Sequence, residues 1–94
     1  MQKVRQDAEH SIGRNIRKLR LACGMTQEAV VTQMQLMGLD LSRSAYSQME
    51  CGTYNIRVSE LAALTIIFKT DFNSLFEGVA QAVLNRESDE TPLN

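Results

Sequence analysis

The chain has 94 residues, 22% charged and 44% hydrophobic, the composition of one small soluble domain with a single core. No apolar run approaches the ~18 residues of a membrane span, and the polar N-terminus MQKVRQDAEH is not a signal peptide. The net charge of −1 lacks the basic excess expected of a nucleic-acid binder.

That total hides an asymmetry. Residues 1–57 carry eight Lys/Arg against five Asp/Glu, and residues 58–94 carry two against six. A basic half followed by an acidic half suggests one face for an anion and another for a different task. Chance is the competing explanation, because the excess is small. Cys23 and Cys51 lie far apart in sequence, and His10 is the single histidine, so no zinc site and no cofactor is expected. The two thiols read as buried small hydrophobes in a reducing cytoplasm.

Hydrophobic periodicity predicts helix nearly throughout. Ile12, Ile16, Leu19 and Cys23 recur on one helical face, which Val4 and Ala8 extend backwards, and Gly24 supplies a stop. Thr26 is the N-cap candidate of a second helix with Val30, Met34 and Met37 on its apolar face, ended by Gly38. Residues 39–41 then form a turn. Ser42 is the N-cap candidate of a short third helix, from Arg43 to about Glu50, closed by Gly52. Residues 53–56 read as a loop. A fourth helix is expected from about Val58 to Lys69 with Leu61, Leu64 and Phe68 in phase. Asp71 caps a fifth, whose stripe of Phe72, Leu75, Phe76, Val79 and Val83 carries it to about residue 85 despite Gly78. Residues 1–10 form an extension able to continue the first helix, 11–78 the domain, and 79–94 the end of the fifth helix and an acidic tail.

The third helix is the informative one. Its few apolar residues are Ala45, Tyr46 and Met49, and its polar face is Arg43, Ser44, Ser47 and Gln48. A core wall would carry more apolar residues, and a solubility face more Glu and Lys. Arg, Ser and Gln are the side chains that hydrogen-bond base edges in a major groove, and their spacing places them on one side of a helix. A helix, a turn and then this helix is the order of a helix-turn-helix.

The segments IGRNIRKLRLACGMTQEAV and SRSAYSQMECGT resemble the lambda-repressor/Cro-like helix-turn-helix family, also called the xenobiotic-response-element family. The matching residues are Ile12, Ile16, Leu19, Arg20, Gly24, Met25, Thr26, Gln27, Ser42, Glu50 and Gly52, and the resemblance spans about residues 10–78. It implies an all-α, five-helix, lambda-repressor-like DNA-binding domain. Two departures stand out. The stretch from Thr26 to Ser42 is about five residues longer than the commonest spacing, which leaves open how the third helix sits on the second. Cys51 replaces a residue that is often basic, and the usual proline in the following loop is missing.

The resemblance implies roles residue by residue. Gln27 would grip a DNA phosphate at the N-terminus of the second helix, where amides and helix dipole favour an anion; a simple capping role competes. Arg43, Ser44 and Gln48 match base-reading positions, with Ser47 beside them. Arg43 would take a guanine edge or else neutralise a phosphate. Ser42 caps the third helix and also lies near DNA. Thr53, Tyr54, Asn55 and Arg57 follow it, either at backbone phosphates or as a solvated loop. Arg20 and Glu50 would form a partly buried ion pair that orients the third helix. Tyr46 would place its ring in the core and its hydroxyl at the rim. Arg14, Arg17 and Lys18 read as a solvated face.

The expected function is a sequence-specific transcriptional regulator of double-stranded DNA, a repressor, working without catalysis. No Ser/His/Asp or Cys/His set, carboxylate pair or phosphate loop is present in the sequence. A homodimer on two-fold half-sites is expected, with Ile66, Ile67, Phe72, Phe76, Val79 and Val83 as its interface or else as core. Three alternatives stay open: an antitoxin with a toxin partner, a controller protein of a restriction–modification or mobile-element system, and a protein-interaction module that has lost DNA binding.

Overall fold

The structure is a computed structural model that describes residues 12–79. Five helices follow in chain order: α1 (Ile12–Ala22), α2 (Gln27–Leu36), α3 (Arg43–Cys51), α4 (Val58–Ile67) and α5 (Phe72–Leu75). The described residues contain no strand, and no helix among them is long and apolar enough to cross a membrane.

Short polar side chains set three of the helix starts. Thr26 Oγ1 accepts the Ala29 N–H at 3.0 Å, Ser42 Oγ the Ala45 N–H at 3.0 Å, and Asp71 Oδ1 the Ser74 N–H at 2.8 Å. Each satisfies an amide that the helix leaves without a partner. At α4 the N3 residue does this work, because Glu60 Oε1 accepts the Arg57 N–H at 2.8 Å.

The core is shared by all five helices. Ile16 of α1, Val30 and Met34 of α2, Tyr46 and Met49 of α3, Leu64 of α4 and Leu75 of α5 are fully buried. Leu41, in the α2–α3 connection, joins them, and Gln35 Nε2 donates to the Leu41 carbonyl at 3.0 Å. The long stretch between Thr26 and Ser42 is thus accommodated by a folded connection over 37–42. Around this core α1 packs on α3 and α5, α2 on α3 and α4, and α4 on α5. Asn15 ties α1 to the end of α5 by donating Nδ2 to the carbonyls of Leu75 (2.7 Å) and Glu77 (2.9 Å).

Several expectations are corrected. The fifth helix does not run unbroken to residue 85. It stops at Leu75, and Gly78 takes φ +82°, a left-handed conformation that interrupts a right-handed helix. Val83 and the acidic tail lie outside the described residues, as do Val4, Ala8 and His10. The fourth helix ends at Ile67, with Lys69 at φ 53°. Met37 is an exposed C-cap rather than core, and Val31 takes the buried position instead. Cys23 and Cys51 are both exposed, not buried. Cys23 lies at the end of α1 and donates Sγ–H to the Phe68 carbonyl, while Cys51 is the last residue of α3.

Candidate nucleic-acid interface

The third helix is amphipathic in an unusual sense, because its inner face carries charge. Tyr46, Met49 and Glu50 are buried, while Arg43, Ser44 and Gln48 are exposed and Ser47 is half-buried. The outer face therefore presents one guanidinium, two hydroxyls and one carboxamide. These groups donate and accept hydrogen bonds and suit base edges.

Two contacts on the inner face fix where α3 lies. The first is steric. Gly13 of α1 meets the backbone of α3 so closely that a Cβ there would overlap the Met49 carbonyl oxygen and come within 2.8 Å of that of Glu50. The helices can approach to this distance only without a side chain at residue 13. The second is ionic. Arg20 Nε donates to Glu50 Oε2 at 2.7 Å and Arg20 Nη2 to Glu50 Oε1 at 3.1 Å, with the two side chains 10% and 3% exposed. Nη1 donates to the Met25 carbonyl at 2.9 Å, so the same guanidinium also fastens the α1–α2 turn. Bidentate geometry with the remaining donor satisfied is what lets a pair this buried persist.

The charges respond accordingly. For Glu50, burial alone would raise the carboxyl, but the hydrogen bond from Arg20 leads a set of contacts that holds it below its ordinary value. Its hydrogen bond to Glu50 raises Arg20 above its ordinary value despite desolvation. Tyr46 lies beside this pair. Burial first, and then the Glu50 carboxylate, pushes its phenol far above the ordinary value. Its hydroxyl does not reach the rim as expected; it is buried and has no hydrogen-bond partner among the described residues.

Gln27, half-buried in the first turn of α2, joins the pair to the outer face. Its Nε2 donates to Glu50 Oε1 at 3.0 Å, and its Oε1 accepts from Arg43 Nε at a long 3.4 Å. Ser42, exposed, uses its Oγ as the α3 cap. The amides of Gln27 and Glu28 have no intrahelical acceptor and carry the positive end of the α2 dipole. The Glu28 carboxylate lies in the same turn.

Beyond α3, Asn55 and Arg57 are exposed, and Thr53 N–H donates to the Gln48 carbonyl at 3.0 Å. Tyr54 is half-buried, and its hydroxyl donates to Glu60 Oε2 at 2.9 Å. Its phenol is raised by desolvation and by that carboxylate. Glu60 thus uses both oxygens to hold the loop, one on Tyr54 and one on the Arg57 amide.

Of the proposed interface residues, Ile66 is 65% exposed, Phe72 47% and Phe76 37%, while Val79 is half-buried. Ile67 differs, because it packs against the core. The helix α4 is apolar on almost every side yet leaves Ile66 and Val58 open to solvent.

Sequence reasoning missed Gly13, Asn15 and Glu60. Gly13 and Asn15 carry no local signal, since their roles depend on elements far along the chain. Glu60 stands three residues after Arg57 at the N3 position of a capping box, and that spacing was a usable sign.

No protein-family model matches the chain, and no curated protein matches it. Among solved structures it is similar to the restriction-modification controller protein C.AhdI from Aeromonas hydrophila, with 29% sequence identity and a TM-score of 0.59. The similarity covers 69% of this chain and 91% of that protein. The chain has an all-α, helix-turn-helix fold, with α2 and α3 as its two helices.

Proposed function

We propose that this chain is a sequence-specific, DNA-binding transcriptional regulator that inserts α3 into the major groove. One observation carries the reading: α3 buries Tyr46, Met49 and Glu50 and turns Arg43, Ser44 and Gln48 to solvent. Arg43 reads a guanine edge, Ser44, Ser47 and Gln48 contact neighbouring base edges, and Gln27 and the α2 amides take a backbone phosphate. Ser42, Tyr54 and Asn55 flank this surface and contact sugar–phosphate. The Tyr54 hydroxyl, already donating to Glu60, meets a phosphate only through rearrangement or a bridging water. The site works by occupancy rather than by chemistry, so binding across a promoter represses it. Such a regulator acts in the cytoplasm, where the DNA is.

A short helix offers few base contacts, so two copies related by a two-fold axis are proposed, through Ile66, Phe72, Phe76 and Val79. As for biological setting, the likeness to C.AhdI favours control of a restriction–modification system over an antitoxin role. A neighbouring gene pair for an endonuclease and a methyltransferase is the matching genomic sign.

The test is fluorescence anisotropy against duplex DNA over a salt series. A binder that neutralises ~4–6 phosphates per copy gives a log–log slope of about −4 to −5. An absence of salt-sensitive binding to any duplex would favour a protein-interaction module.

A further inference from the structure

Four side chains from three helices form one chain of hydrogen bonds. Arg20 of α1 holds Glu50 of α3, Glu50 Oε1 accepts from Gln27 of α2, and Gln27 Oε1 accepts from Arg43, the first residue of α3. A carboxylate can only accept and a guanidinium can only donate, so a side chain joining them must donate at one edge and accept at the other. That requirement fixes the orientation of the Gln27 amide. Glutamate at this position would repel Glu50, and lysine would repel Arg43.

The bond to Gln27 engages Nε of Arg43, which leaves the Nη1/Nη2 edge as the fork for a guanine. We propose that Gln27 is a specificity-determining positioning residue, which passes the rigidity of the buried Arg20–Glu50 pair to Arg43 and holds its guanidinium ready to read one base. This rests on the reading of α3 as the DNA-contacting helix. An arginine restrained before binding loses less rotamer freedom on binding. The long 3.4 Å bond strengthens once DNA excludes water from it. A phosphate contact lowers affinity for all sequences alike when removed, whereas a positioning contact lowers discrimination at one base pair.

The test compares Gln27→Met, which keeps the stem and removes both polar groups, with Arg43→Ala and the double variant. Each is selected against a random DNA pool, and thermal melting verifies folding. Arg43→Ala is expected to cut the guanine preference at one position per half-site by about tenfold. Gln27→Met is expected to cut it at the same position by several-fold, and the double variant to discriminate no less than Arg43→Ala. A Gln27→Met chain that binds weakly but keeps the full guanine preference overturns the proposal, as does a uniform loss for Arg43→Ala. A second arm needs no DNA and no variant. In the free wild-type protein the Arg43 Nε–Hε signal is expected to exchange with solvent more slowly than that of the exposed Arg17. Equal exchange overturns the relay even if the chain binds DNA. Slow exchange in a chain that selects no DNA sequence overturns the regulator reading, and the specificity role with it.

Discussion

Gly13 and Glu50 touch through backbone: a Cβ on Gly13 would lie 2.8 Å from the Glu50 carbonyl oxygen. The same two segments are joined one turn later by the Arg20–Glu50 ion pair. The position of α3 is therefore set at both ends of its contact with α1, by a missing side chain and by a charge.

Gly13→Ala pits two effects against each other. Alanine is the better helix former by about 1 kcal/mol. The overlap is with backbone carbonyls, which cannot swing aside as a side chain can, and overpacking of this kind costs ~1–3 kcal/mol. The expected outcome is a net loss of stability in urea denaturation, with weaker DNA binding as α3 is displaced. An unchanged midpoint would show that α1 and α3 separate freely.

Glu50→Ala leaves Arg20 buried without its partner, which costs about 3–5 kcal/mol. A domain of this length has about 5–14 kcal/mol in total, so a large drop in melting temperature is expected, with DNA affinity falling alongside. An unchanged melting temperature would remove the ion pair from the account.

The same carboxylate gives a pH dependence. Glu50 titrates below its ordinary value near 4.5 when folded. Its contribution is fully present above that value and is lost as pH falls through the depressed folded value. Wild type should therefore lose stability steeply below about pH 4.5, and Glu50→Gln should show a shallower acid limb. Parallel acid limbs would contradict the assignment.

Tyr46→Phe removes a buried hydroxyl that has no partner. An unsatisfied buried polar group costs about 1–3 kcal/mol, so this variant should be at least as stable as wild type. A clear loss would mean that the hydroxyl has a partner after all, with Glu50 the nearest candidate.

Phe72→Glu tests the proposed dimer. Phe72 is half-exposed at the start of α5, beside no buried polar group, so the charge should leave helix content intact while splitting the assembly. Sedimentation at micromolar concentration should give a dimer for wild type and a monomer for the variant. A monomeric wild type would end the dimer proposal.

Most of the local structure was legible because it is written in neighbouring residues. Thr26, Ser42 and Asp71 cap their helices through amides three residues away, and Ile16, Met34, Leu64 and Leu75 follow the helical period. What was not legible depends on distance in the chain. The periodic stripe from Phe72 to Val83 implied one helix, but the Gly78 conformation overrides the period. Cys23 fell in phase with Ile12 and Ile16, yet the helix ends just before it and leaves it exposed. At the candidate interface, the outward residues of α3 could be picked by type and spacing. The inward ties of Gln27 to Glu50 and Arg43 could not, because they join helices whose relative placement no local pattern specifies.

The central claim is that the outer face of α3 reads DNA. Selection of bound duplexes from a random pool by the wild-type chain, followed by sequencing, tests it most directly. The account predicts an enriched site with two-fold symmetry, half-site centres ~34 Å apart and a guanine at one position of each half. Recovery of a pool no different from the input would contradict it.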